Sequence, residues 1–179
     1  MSTWIEASEV SRVNAAAGSE AVVVGPDTLA VIEKSQWIAN ASGGLFDISF
    51  DAMHGLWKFD EGAEERIPKK DVLEKARKLI DYRQIEVDHD KSTVKLDKAG
   101  MRINLGGIAK GYAVDAVARS LDGDGVKAFF VQAGGDLFVR GRKPDGSPFR
   151  VGVRDPRGGP NDSFATMIVE DHAFSTAGD

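Results

Sequence analysis

The chain has 179 residues, 42% of them hydrophobic, which is enough to bury a core of its own within one ordinary domain. Its 23 basic and 28 acidic side chains leave a formal charge of -5, so no cationic surplus exists to neutralise a nucleic-acid backbone, and nucleic acid is not an expected partner. Cysteine is absent, which excludes disulfides and thiolate metal sites and leaves only oxygen ligands or the three histidines for a metal.

The opening "MSTWIEASEV" lacks the basic and apolar regions of a signal peptide and leads almost at once into a helical-looking segment. No later run approaches the ~20 apolar residues of a spanning helix, so no membrane span is expected. The first clear helix lies in "GPDTLAVIEKSQWIANASGG". Asp27 or Thr28 is placed to cap its start, Leu29, Ile32 and Ala39 share a face, and Gly43 and Gly44 can end it. A loop with two aromatic anchors follows, "LFDISFDAMHGLWKF". The spacing of Leu73, Ala76 and Ile80 predicts a second helix from Lys70 to Asp81.

From Ile85 the apolar period changes to two, and "QIEVD", "STVKLD" and "MRINL" read as short strands with "DKAG" as a hairpin turn. A third helix is expected after Gly107, with Ala113, Ala116, Val117 and Leu121 on its apolar face and Gly123 to Gly125 at its end. Four apolar runs follow, "AFFVQ", "DLFVRG", "FRVGVRD" and "FATMIVED", and the final "FSTAGD" reads as a turn. Helices followed by a run of strands predict an α+β fold with helices packed on a largely antiparallel sheet.

The stretch "RINLGGIAKGYAVD", Arg102 to Asp115, concentrates Gly106, Gly107 and Gly111 around Lys110 at the predicted strand-to-helix junction. A Walker-type loop is excluded, because Lys110 precedes the second glycine of the pair and Tyr112 and Ala113 stand where Lys and Ser/Thr are needed. A dinucleotide fingerprint is excluded by the glycine spacing and the antiparallel setting. Three readings stay open: backbone N–H groups facing a phosphate, a carbonyl facing a cation, or glycines that merely allow a tight turn.

Several segments occur in a telling order: "EASEVSRVN" (6–14), "GGLFDISFDAMHGLWKF" (43–59), "INLGGIAKGYAVDAVARSL" (103–121), "VQAGGDLFVRGRKPDGSPFRVGVRDP" (131–156) and "FSTAGD" (174–179). Together they resemble the ApbE family of FAD:protein FMN transferases, once described as thiamine-biosynthesis lipoproteins. The resemblance covers nearly the whole chain and implies a single ApbE-like, T-fold-related flavin transferase domain over residues 1–179, incomplete at both termini. It implies a reaction in which FAD is the donor substrate, Mg2+ assists cleavage of its pyrophosphate, AMP leaves, and FMN is joined to a Ser or Thr hydroxyl of an acceptor flavoprotein. Positioning and charge neutralisation do most of such phosphoryl-transfer catalysis, which suits a chain with no evident nucleophile triad.

The resemblance also implies residue roles. Leu45, Phe46 and Asp47 match a flavin-binding turn, Trp4 an aromatic position near the flavin, and Lys110 a side chain that contacts FAD. Gly107 matches a backbone carbonyl ligand of magnesium, and Asn104 stands where the family usually has a flavin-contacting aspartate. Catalytic residues are not assigned. From their local settings, Ser8 and Asn14 read as helix-start and turn residues, Asp115 as structural, and "AGGD" (133–136) as a tight strand connection that brings Asp136 near the site. His54, His89 and His172 show no metal-site spacing. Ser49 replaces the usual Thr of the turn, and the amide at 104 weakens a charge-based contact. Further magnesium ligands, from a later segment ending in Asp and Thr, and an opening Met-Gly-Thr strand are expected in the parent protein, of which this chain reads as a truncated piece. The family implies a cell-envelope location on the periplasmic side with a lipid anchor. The alternative is an FAD-binding protein or inactive fragment that does not catalyse transfer.

Overall fold

The computed structural model describes residues 1–57, 67–159 and 161–177, which form two compact units, 1–108 and 109–179. Lys58 and Phe59 of the aromatic loop, Pro160 of the "PRGGPND" turn, and Gly178 and Asp179 of "FSTAGD" lie outside the described residues.

In the first unit, helix α1 (Glu9–Ala15) begins where Ser8 caps it, the hydroxyl accepting the Ser11 N–H at 3.1 Å, and buries Val10 and Val13. Helix α2 (Pro26–Ala41) starts two to three residues earlier than expected. Pro26 has no N–H to satisfy and opens the helix itself, so Gly25 becomes the cap and Asp27 and Thr28 fall inside the first turn. Gly25 offers no side-chain acceptor, and α1 supplies one instead: Glu9 Oε1 accepts the Gly25 N–H at 2.7 Å and Oε2 accepts the Thr28 hydroxyl. A carboxylate at a helix N-terminus also complements the helix dipole. As expected, Leu29, Ile32 and Ala39 are buried, and Gly43 and Gly44 end the helix at φ 65° and 86°.

Helix α3 (Lys70–Arg77) stops four residues short of the predicted Asp81. The Asp81 N–H donates to Ser49 Oγ at 2.9 Å, and its carboxylate then caps a separate 3-10 turn, Tyr82–Gln84. Strands β1 (Val22–Val23), β2 (Ile85–Asp88) and β3 (Thr93–Leu96) form an antiparallel sheet in the order β1-β3-β2, with Val94 of β3 fully buried between Val22 and Val87. The hairpin turns at 89–92, where Ser92 takes φ 51°, and not at "DKAG", which follows β3.

"MRINL" is not a strand, although its alternation is real: Met101, Ile103 and Leu105 are buried, while Arg102 and Asn104 are only half-buried. The expected neighbour strand is replaced by a side chain. Asn14 of α1 accepts the Ile103 N–H at Oδ1, 2.8 Å, and donates from Nδ2 to the Ile103 carbonyl at 3.0 Å. Asn14 is therefore not a local turn residue but a bridge across 89 positions. The Asn104 N–H donates to the Ile48 carbonyl at 2.9 Å.

The second unit opens with helix α4 (Ala109–Gly123), whose buried stripe is Val114 and Ala118 with Leu121 half-buried. Ala113 and Val117 face solvent, a shift of one position from the predicted face: Val114, Ala118 and Leu121 follow i, i+4, i+7 and suit the sheet beneath. Strands β4 (Phe129–Ala133), β5 (Asp136–Arg140), β6 (Phe149–Arg154) and β7 (Ser163–Val169) match the four predicted runs. Phe174 and Ser175 of the expected "FSTAGD" turn instead end strand β8 (His172–Ser175), which pairs antiparallel with β5, where Phe174 joins a core of Leu137, Val139, Val151 and Val169. All pairings among the described residues are antiparallel, distributed over three sheets, β1-β3-β2, β4-β5-β8 and β6-β7. The α+β reading with antiparallel strands holds.

Two stability measurements follow from these contacts. Asn14→Ala removes both partners of a buried peptide unit and is expected to cost about 2–4 kcal/mol in denaturant unfolding. Asn14→Asp, nearly isosteric, should cost a comparable amount because a carboxylate cannot donate to the Ile103 carbonyl; wild-type stability for Asn14→Asp would contradict the bridge. The Thr28 hydroxyl, with the Gly25 N–H, holds the Glu9 carboxyl below its ordinary range against the opposing effect of burial. Its stabilisation is complete above the ordinary carboxyl pKa and fades as pH falls through the lowered one. Glu9→Gln should flatten that part of the acid limb in a stability–pH profile.

Candidate functional site

In the first unit, Asp47 caps a 3-10 turn, Ile48–Met53. Its Oδ1 accepts the Ser49 N–H at 2.8 Å and the Ser49 hydroxyl at 2.6 Å, and its Oδ2 accepts the Tyr82 N–H at 2.9 Å. Both carboxylate oxygens are thus committed to holding the loop. Of the loop's described aromatic residues, Phe46 is half-buried, while Phe50 and Trp57 are 51% and 39% exposed and do not anchor it; the buried positions are Ile48, Ser49 and Asp51. The 3-10 turn capped by Asp47 buries Ile48, Ser49 and Asp51 and leaves the Phe50 ring exposed.

The turn and the glycine stretch meet. Gly107 lies against Phe46, where an added Cβ would come within 3.4 Å of the ring, and Gly106 lies against Asn104, where a Cβ would come within 3.0 Å of Oδ1. Neither glycine takes a positive φ. What they provide is room for close approach, the part of the glycine argument that the geometry bears out. An open cavity of about 230 Å³ results, lined by Leu45, Phe46, Asp47, Ile48, Phe50, Asn104 and Gly107. Pockets that enclose a whole drug-sized ligand run to roughly 300–1,000 Å³, so this one has room for a ring system and not for an entire dinucleotide. Its rim is apolar: Leu45 is 93% exposed and Phe50 stands beside it.

Behind the cavity wall stands a residue that the sequence reading did not single out. Asp51 is buried, with Oδ2 accepting from Arg102 Nε at 3.0 Å and Oδ1 accepting from Asn104 Nδ2 at 3.2 Å. Asn104 Oδ1 in turn accepts the Gly106 N–H at 2.8 Å. The sequence signal was faint, since Asp51 and Asn104 are 53 positions apart and acids near loops are ordinarily solvated.

The remaining residues lie elsewhere. Trp4 is 88% exposed, its backbone N–H donating to Ser2 Oγ, and is not among the cavity's lining residues. Lys110 stands in the second unit, on the first turn of α4, with its side chain along Gly134 of the β4–β5 hairpin. "AGGD" is the tight connection expected, with Ala133 paired to Asp136 and Gly134 at φ 61°. Asp136 accepts the Ser175 hydroxyl and, with Asp115, borders a second cavity of about 270 Å³ within that unit. His54, His89 and His172 contact Asp51, Glu33 and the Glu170 carbonyl separately.

Magnesium takes about six oxygens in octahedral geometry, some of them from water and phosphate. Among the described residues, no group of three or more His, Asp or Glu side chains could hold a metal, and the carbonyl of Gly107 would be a single ligand. The described donor set does not by itself make a magnesium site. No helix among the described residues is long and apolar enough to cross a membrane.

The sequence model of the ApbE family matches residues 1–179. The chain belongs to the ApbE family. It is 32% identical to an FAD:protein FMN transferase of Treponema pallidum over 96% of this chain and 51% of that protein. It is 28% identical to the FAD:protein FMN transferase of Vibrio cholerae over 100% of this chain and 53% of that protein. The flavin transferase ApbE structure from Vibrio cholerae aligns with TM-score 0.86 at 28% identity, covering 100% of this chain and 58% of that one. The ApbE protein of Thermotoga maritima aligns with TM-score 0.82 at 33% identity, covering 96% and 55%. The chain spans about half the length of the curated relatives it matches.

Asp47→Asn tests the loop that carries Phe46. A carboxamide has one oxygen for three donors, so an NH2 group must face an N–H or a hydroxyl. Unfolding should become easier by about 1–3 kcal/mol. An unchanged midpoint would show that the Asp47 contacts do not hold the turn.

Proposed function

We propose that this chain is the flavin-binding part of an FAD:protein FMN transferase. Family membership over residues 1–179 carries the reading, and the ring-sized cavity beside Phe46 and Asn104 supports it. In the proposed reaction the oxygen of an acceptor Ser or Thr attacks the FMN phosphorus of FAD, the pyrophosphate P–O bond breaks, AMP departs, and the hydroxyl proton is released. FAD is the donor and a flavoprotein is the acceptor.

The proposed residue roles are those the family resemblance implies, and the chemistry of the side chains suits them. The Phe46 ring and the Leu45 side chain provide an apolar wall for the isoalloxazine, Asn104 provides hydrogen bonds to its polar edge, and Lys110 neutralises a phosphate. Asp47 serves by holding the turn. Trp4 is carried as an aromatic partner of the flavin on the family resemblance alone. Magnesium neutralises charge on the pyrophosphate when bound; Gly107 is proposed as one ligand, with the others drawn from phosphate, water and residues outside those described. A periplasmic, lipid-anchored location is part of the same proposal. Residues 1–179 are proposed to belong to a single catalytic domain.

The full-length protein should be incubated with FAD, Mg2+ and an acceptor bearing a Ser or Thr, then run on a denaturing gel. A covalently fluorescent acceptor band and stoichiometric AMP are expected. Flavin binding without either product would replace transfer by the non-catalytic FAD-binding reading, which the amide at position 104 favours.

A further inference from the structure

We propose that Asp51 is a positioning residue that fixes the Asn104 side chain and, through it, the Gly106–Gly107 turn of the cavity. Asp51 is 3% exposed and its carboxylate can only accept, so it compels Asn104 to turn Nδ2 toward it. The Gly106 N–H can only donate, so it compels Asn104 to turn Oδ1 the other way. These two partners leave the carboxamide a single orientation. Arg102 completes the chain by donating Nε to the other oxygen of Asp51. Asp51 itself is not among the residues that line the cavity, whereas Asn104 and Gly107 are. A lone pair on Asn104 Oδ1 stays uncommitted by these bonds, an acceptor that a ligand's polar edge would use and that a carboxylate at this position would also offer.

The same network accounts for an amide at position 104. An aspartate there would set carboxylate against carboxylate at about the 3.2 Å that separates Asn104 from Asp51, and like charges so close are strongly unfavourable. An acid at 51 and an amide at 104 therefore belong together.

Exchanging the two groups tests this. In Asp51→Asn, Arg102 claims the only oxygen, an NH2 faces the Asn104 NH2, and Asn104 can relieve that only by flipping its own NH2 onto the Gly106 N–H. In Asn104→Asp, two carboxylates oppose each other. In the double variant every donor meets an acceptor again: the new amide at position 51 accepts from Arg102 and donates to the new carboxylate at position 104, which accepts from Gly106. Two readouts on the full-length protein are needed, the hydrogen-exchange rate of the Gly106 amide and the FAD dissociation constant from flavin fluorescence.

Each single variant should speed Gly106 exchange and weaken FAD binding about tenfold or more, and the double variant should return both to within about threefold of wild type. A double variant no better than the worse single, or an Asp51→Asn protein equal to wild type, overturns the proposal. A merely structural ion pair between Asp51 and Arg102 would be lost equally in Asp51→Asn and in the double variant, and would show no rescue. Only the FAD readout rests on the flavin-transfer reading. A wild-type protein that binds no FAD defeats that reading, while Gly106 exchange still decides whether Asp51 positions the turn.

Discussion

The first unit is organised around a peptide that has no strand beside it among the described residues. Met101 to Leu105 runs extended through the core, and the two polar groups of Ile103, at its centre, are satisfied by one carboxamide from α1. A buried peptide group without partners costs about as much as a lost hydrogen bond at each end, so the Asn14 amide is what allows this segment to be extended and buried at once. Once Ile103 is fixed facing inward, alternation dictates the rest: Arg102 and Asn104 turn the other way, toward Asp51. The cavity wall is thus a consequence of how the core is threaded.

A second set of contacts performs the same service for the facing wall. Asp47 gathers Ser49 and Tyr82 around one carboxylate, and Ser49 in turn receives the Asp81 N–H. These bonds pin the loop that presents Phe46 while leaving Leu45 and Phe50 at the rim with apolar surface in water. Exposed apolar groups around a concavity mark a surface suited to a binding partner with apolar faces. The glycines complete the arrangement by absence, since a Cβ at 106 or 107 would crowd the amide or the ring.

Much of this was legible in the sequence where the signal is local. The strands of the second unit, the end of α2 at Gly43 and Gly44, and the inward alternation of Met101, Ile103 and Leu105 all follow from periodicity and turn chemistry. The failures share a cause. Whether an alternating segment becomes a strand depends on a neighbour, and here that neighbour is a side chain 89 residues away. The start of α2 was misplaced because its capping acceptor, Glu9, belongs to another helix. Asp51 carries little local signal, because its hydrogen-bond partners Arg102 and Asn104 are distant in sequence. Of the residues taken from the family resemblance, Leu45, Phe46, Asp47 and Asn104, expected at the flavin, and Gly107, expected at the metal, line one cavity. Trp4 and Lys110 are not among its lining residues.

The cavity between the 45–50 turn and the Asn104–Gly107 stretch is proposed to seat a flavin ring. Backbone amide shifts of the isotopically labelled protein, recorded while FMN is added, measure that directly. Saturable changes concentrated at Phe46, Ile48, Asn104 and Gly107, and absent when AMP is added instead, are the result this account predicts. Flavin-induced changes that bypass those residues, or a response to AMP at the same amides, would contradict it.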